Sequence, residues 1–115
     1  MFSPRPLTLR EIALLTWCAD SLSEPDKSNF KAQIALARVS REEGGHVSFE
    51  VPSSAPLVEE TCAINLYYDD VDGTRVDFIV SFVAGQLSWV DRYRIIGGDP
   101  EITVPEVRCA HFYAT

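Results

Sequence analysis

Apolar residues recur along this chain with two different periods, and the change falls near residue 46. In the first part Ile12, Leu15, Ala19 and Leu22 stand at i, i+3, i+7 and i+10, the spacing of one buried helical stripe. Thr8 and Glu11 precede that stripe in the S/T-x-x-E order of a capping box. The Thr8 hydroxyl accepts from the Glu11 amide, and the Glu11 carboxylate reaches back to the Thr8 amide. Leu7 and Ile12 stand where a hydrophobic staple belongs. The pattern predicts a helix from Leu9 to about Leu22, preceded by an extended segment at Pro4 and Pro6. Trp17 and Cys18 fall beside or off the stripe. Pro25 marks a loop over 21–28, and Phe30, Ile34 and Ala37 give one apolar face to a second helix from about Lys27 to Arg38. Glu42-Glu43-Gly44-Gly45 reads as a turn.

From His46 the period is two. Val47, Phe49 and Val51 alternate with polar residues; then Cys62, Ile64, Leu66 and Tyr68; then Val76, Phe78, Val80 and Phe82. Asp72-Gly73 and Ala84-Gly85 are turn dipeptides, and a fourth strand is predicted over Gln86 to Ile96. Gly97-Gly98-Asp99-Pro100 stops it, and Glu101 to Thr115 adds a last strand or a coil. Short turns make antiparallel neighbours. The expectation is a single α+β domain over 1–115. Two N-terminal helices cover one face of a four-stranded antiparallel meander, five-stranded if the tail joins.

Alternation also assigns faces. Val47, Phe49, Cys62, Ile64, Leu66, Val76, Phe78, Val80, Phe82, Leu87 and Trp89 are expected in the core. Asn65, Tyr67, Asp77, Ile79, Ser81, Val83, Ser88, Val90, Arg92 and Arg94 are expected on the opposite face. That face mixes aromatic, aliphatic and arginine residues, as partner-binding surfaces do. A C-terminal tail folded over it, or strands that tolerate β-branched residues on a wet face, account for the same mix slightly better. Asp91 conflicts with the pattern, because parity from Leu87 and Trp89 points it inward, where an unpaired carboxylate is costly. A bulge that shifts the parity, an arginine partner, or a nearby site would each resolve the conflict.

Composition narrows the function classes. The chain has 115 residues, 46% hydrophobic and 23% charged, ordinary for a globular domain and unlike a disordered one. Its formal net charge of −7 opposes binding to a phosphate backbone; by itself it chiefly favours solubility, and it would also speed association with a basic partner. Cys18, Cys62 and Cys109 are odd in number and widely spaced, which is no disulfide framework. With no apolar stretch of membrane-spanning length and no signal-peptide layout, a cytosolic protein is expected.

Catalytic and metal signatures are weak. Cys109-Ala110-His111 with Cys62 or His46 offers thiol and imidazole ligands but lacks the paired spacing of zinc sites. Asp69, Asp70, Asp72 and Gly73 look like a calcium loop, but an EF-hand register would place Tyr68 and Ile79 where carboxylates are required. His46 and His111 are a conceivable acid–base pair that nothing in the sequence orients. No nucleophile elbow, Walker loop or dinucleotide fingerprint is present.

The run Asp72-Gly73-Thr74-Arg75-Val76 followed by Gly85-Gln86-Leu87-Ser88-Trp89-Val90-Asp91-Arg92-Tyr93, with Arg5-Pro6-Leu7-Thr8 and Glu11, resembles a group of small uncharacterised bacterial α+β proteins. Where many of them carry a Cys-Gly-rich segment, this chain has Glu42-Glu43-Gly44-Gly45. The shared motifs are a cap, a turn and a hairpin, so the resemblance implies a fold and no site residue. In size and acidity the chain is also similar, as a class, to immunity proteins of contact-dependent and polymorphic toxin systems. That similarity implies a non-catalytic, cofactor-free binding protein that occludes a toxin domain. The expected contact residues are Tyr67, Asp77, Ile79, Arg92 and Arg94, with Asp69, Asp70 and Asp72 as rim charges. Two alternatives stand beside it: an enzyme or ligand-binding domain with a pocket between helices and sheet near His46, Asp91 and His111, and a homo-oligomeric structural domain using the same sheet face.

Overall fold

The computed structural model describes residues 3–69, 73–94 and 110–112. Among them the elements run β1 (Arg5–Pro6), α1 (Leu9–Asp20), α2 (Asp26–Leu36), β2 (Arg38–Glu43), β3 (His46–Glu50), β4 (Ala63–Asp69), β5 (Arg75–Val83), β6 (Gln86–Arg94) and β7 (His111–Phe112). The class is α+β, with the helices on one face of an antiparallel sheet.

The sheet itself corrects the expected meander. It has seven strands among the described residues, in the order β1-β2-β3-β6-β5-β4-β7. Two of the added strands, β1 and β7, are two residues long and too short to carry a period. The third, β2, has the sequence Arg-Val-Ser-Arg-Glu-Glu, with Val39 its one core residue, and a register shift between Val39 and Arg41 breaks its alternation. The order differs too: β3 pairs with β6 and not with the next strand, β4. Segment 51–62 makes this possible by crossing the end of the sheet, where the Val58 amide donates to the Gly85 carbonyl at 2.8 Å.

Helix α1 begins as its cap predicts. Glu11 N donates to Thr8 Oγ1 at 3.1 Å and Thr8 N donates to Glu11 Oε1 at 2.8 Å. Its buried face is Glu11, Leu14, Leu15, Cys18 and Ala19, a stripe rotated from the expected one, with Ile12 38% exposed. Cys18 is therefore core, and burial pushes its thiol up to about 12. On α2, Phe30 and Ile34 are buried as expected, and Phe30 meets Phe82 edge-to-face at 4.9 Å. Trp17 stacks on Phe112 at 4.0 Å and ties α1 to β7.

The strand parity breaks between β5 and β6. Ser81 faces Trp89 while Phe82 faces Leu87, so Ser88 is an extra residue on β6, a bulge. Leu87 points into the core, and beyond the bulge Val90 and Arg92 do so as well. Trp89, Asp91 and Tyr93 turn to the outer face. The expected faces of Trp89, Val90 and Arg92 were therefore inverted, and the conflict at Asp91 is removed by the bulge. Cys62 also departs from the expected core: it precedes β4 and is exposed.

Candidate functional site

The outer sheet face is built by register. Ser48, Trp89, Ser81 and Ala63 lie across β3, β6, β5 and β4 in one row. The next row is His46, Asp91, Ile79 and Asn65, and a third is Tyr93, Asp77, Tyr67 and His111. Among the described residues neither helix packs on this face. Tyr93 and Val83 are each 48% exposed, and Trp89 and Ile79 are half-buried.

Of the expected contact residues, Tyr67, Asp77 and Ile79 do share this face. Tyr67 is half-buried, with the Arg75 guanidinium 4.2 Å from its ring centre and the His111 ring 5.3 Å away. Arg75 Nε also donates to Asp77 Oδ1 at 3.3 Å, and Asp77 is only 9% exposed. Asp69 is exposed at the end of β4. Asp70, Asp72 and Cys109 lie outside the described residues. Arg94 lies in β6 opposite the core residue Val76, and its side chain is outside the described residues.

Arg92 is a correction. It is buried beneath the sheet, and with Arg5, Thr8, Arg10, Glu11, Glu42, Gly44 and Val47 it lines an open cavity of about 320 Å³ beside the start of α1. Arg5 donates to both Glu11 oxygens, at 2.8 and 3.1 Å, and pairs with Glu42. Burial alone would raise the Glu11 carboxyl, but the Arg5 and Thr8 hydrogen bonds outweigh it and hold Glu11 below its ordinary value. Arg5 is raised in turn, chiefly by its hydrogen bond to Glu11. This cluster pins the N-terminal segment to β2. Apart from the cap pair Thr8 and Glu11, the sequence held no local signal for it, because its members come from three separate segments.

His46 and Asp91 meet on the outer face and not between helices and sheet. His46 Nδ1 is 2.5 Å from Asp91 Oδ1, and His46 Nε2 is 3.0 Å from Ser48 Oγ. Both His46 and Asp91 are about 40% exposed. His111 does not join them: β7 is four strand spacings from β3, about 19 Å at the usual interstrand distance. Among the described residues no group of three His, Cys, Asp or Glu side chains is placed to hold a metal ion. None of their helices is long and apolar enough to cross a membrane. The chain matches no protein-family model, and no curated protein or solved structure is significantly similar to it.

Proposed function

We propose that this is a cytosolic binding protein that docks its outer sheet face on a basic protein domain, in the manner of an immunity protein occluding a toxin. The observation that carries the reading is the outer face itself. Trp89 and Tyr93 stand there beside Tyr67 and Ile79, with the carboxylates of Asp91 and Asp69 around them. Aromatic anchors ringed by charge are the composition of binding hot spots. The net charge of −7 supports a basic partner through electrostatic steering. The anchor set differs from the one read off the sequence: Trp89 and Tyr93 enter it and Arg92 leaves it.

The test is size-exclusion and calorimetric titration against the product of the neighbouring gene, which this reading expects to carry a basic domain. A one-to-one complex is expected, with Trp89→Ala or Tyr93→Ala each weakening it by at least about tenfold. Asp20→Ala, on the helical side, should leave it unchanged. Affinity that responds to the helical side and ignores the sheet face would overturn the proposal. Concentration-dependent dimerisation lost in Trp89→Ala would instead assign the face to a second copy of the chain.

A further inference from the structure

Asp91, His46 and Ser48 are hydrogen-bonded in series, at 2.5 and 3.0 Å, from two neighbouring strands. A carboxylate only accepts, so in the neutral form of the imidazole Nδ1–H donates to Asp91 Oδ1 and Nε2 keeps its lone pair. The Ser48 hydroxyl then donates to Nε2. This is the tautomer and the order of contacts that a base-assisted serine requires. The rigid ladder holds it: His46 pairs with Asp91 across β3 and β6, and Ser48 follows His46 by two residues on the same face.

We propose that Ser48 is an activated nucleophile, with His46 as its general base and Asp91 as the residue that positions the imidazole, and that it accepts acyl groups from small aryl esters. The proposal goes beyond partner binding and does not depend on it. Four further observations define the substrate class. His46 and Asp91 are exposed enough for a small reagent to reach. Trp89, the ladder neighbour of Ser48, has its ring centre 6.3 Å from the imidazole and offers a flat apolar platform for an aryl group. Ser48 is paired on both sides, with Arg41 and with Trp89, so the ladder occupies the backbone around it. Arg41, held by Glu43 at 2.8 Å, is the cation across from it. A site so placed suits esters with phenolate-class leaving groups and not amides, because a good leaving group lowers the demand for oxyanion stabilisation.

The step balances without a cofactor. Ser48 Oγ bonds to the ester carbonyl carbon as its proton passes to His46 Nε2. The tetrahedral adduct then breaks its bond to the aryl oxygen, and the phenolate takes that proton. Water, deprotonated by the same nitrogen, cleaves the acyl-serine to a carboxylic acid and restores Ser48.

The experiment treats the full chain with p-nitrophenyl acetate and, separately, with a fluorophosphonate, and maps adducts by peptide mass spectrometry. Folding of each variant is checked by circular dichroism. An adduct on Ser48 is expected, absent in Ser48→Ala and formed at least about tenfold more slowly in His46→Gln, with added imidazole restoring the rate. Asp91→Asn should slow labelling and displace the midpoint of its pH profile. No adduct at Ser48, adducts on other nucleophiles alone, or Ser48 labelling indifferent to His46→Gln would overturn the proposal.

Discussion

Gln33 lies fully buried on α2, a position where a polar side chain survives only if every group finds a partner. It does so three times. Nε2 donates to the carbonyls of Pro56 at 2.8 Å and Gly85 at 2.7 Å, and Oε1 accepts from Leu87 N at 2.8 Å. One side chain thus joins α2, the crossing segment 51–62 and the β5–β6 hairpin. Gln33→Leu keeps the volume but strands the Pro56 carbonyl and the Leu87 amide, while the Gly85 carbonyl keeps the Val58 amide, and should cost at least about 2 kcal/mol by urea denaturation. Unchanged stability would mean that both stranded groups find other partners. Nothing in the periodicity marks this glutamine, because a lone polar residue in a short helix reads as solvent-facing.

At the scale of the element, the β5–β6 hairpin turns through Ala84 and Gly85 with φ of 51° and 79°, positive at both positions as in a type I′ turn. Gly85 is required twice over, since an added Cβ would also lie 2.9 Å from Leu57 Cβ. Ala84 is exposed and holds a left-handed conformation that asparagine adopts more readily. Ala84→Asn should therefore stabilise the fold by about 1 kcal/mol in chemical denaturation. Element junctions also depend on carboxylates. Asp26, at the start of α2, accepts from the Glu59 and Glu60 amides and from the Thr61 hydroxyl. Those bonds, the Glu59 amide first, hold its carboxyl below the ordinary range, and Glu11 is lowered at the start of α1. A depressed carboxyl contributes stability that is complete above its unfolded value and is lost as pH falls through its folded one. The melting temperature should be flat near neutrality and fall below about pH 4.5. Glu11→Gln with Asp26→Asn should melt lower at pH 7 and show a shallower acid slope.

For the whole molecule, an acidic chain meeting a basic partner is steered by a field that salt screens, since the Debye length falls from about 10 Å at 0.1 M to about 3 Å at 1 M. Raising salt over that range should slow association with the proposed basic partner by about tenfold or more in stopped-flow, with dissociation nearly constant. An association rate indifferent to salt would remove charge from the proposal and leave the aromatic face alone. The three sheet-face rows belong to this scale as well, since each gathers residues from four strands.

Local signals determined what local physics can specify. The Thr8–Glu11 cap, the two helices, the inward sides of β4 and β5, the Ala84-Gly85 turn and the α+β class all follow from spacing within a few residues of one another. Tertiary structure decided the rest. The Ser88 bulge is one inserted residue whose effect is to invert the faces of Trp89, Val90, Asp91 and Arg92, and it exists only as a mismatch with β5. The pairing of β3 with β6 rests on where segment 51–62 is anchored, and β2 is a strand because β3 supplies its ladder. From the sequence His46 is grouped with Asp91, but with His111 and between helices and sheet; Ser48 and the outer-face position of the series are not legible in one dimension. His46 and Asp91 are 45 residues apart, and only the ladder between their strands brings them into hydrogen-bond contact.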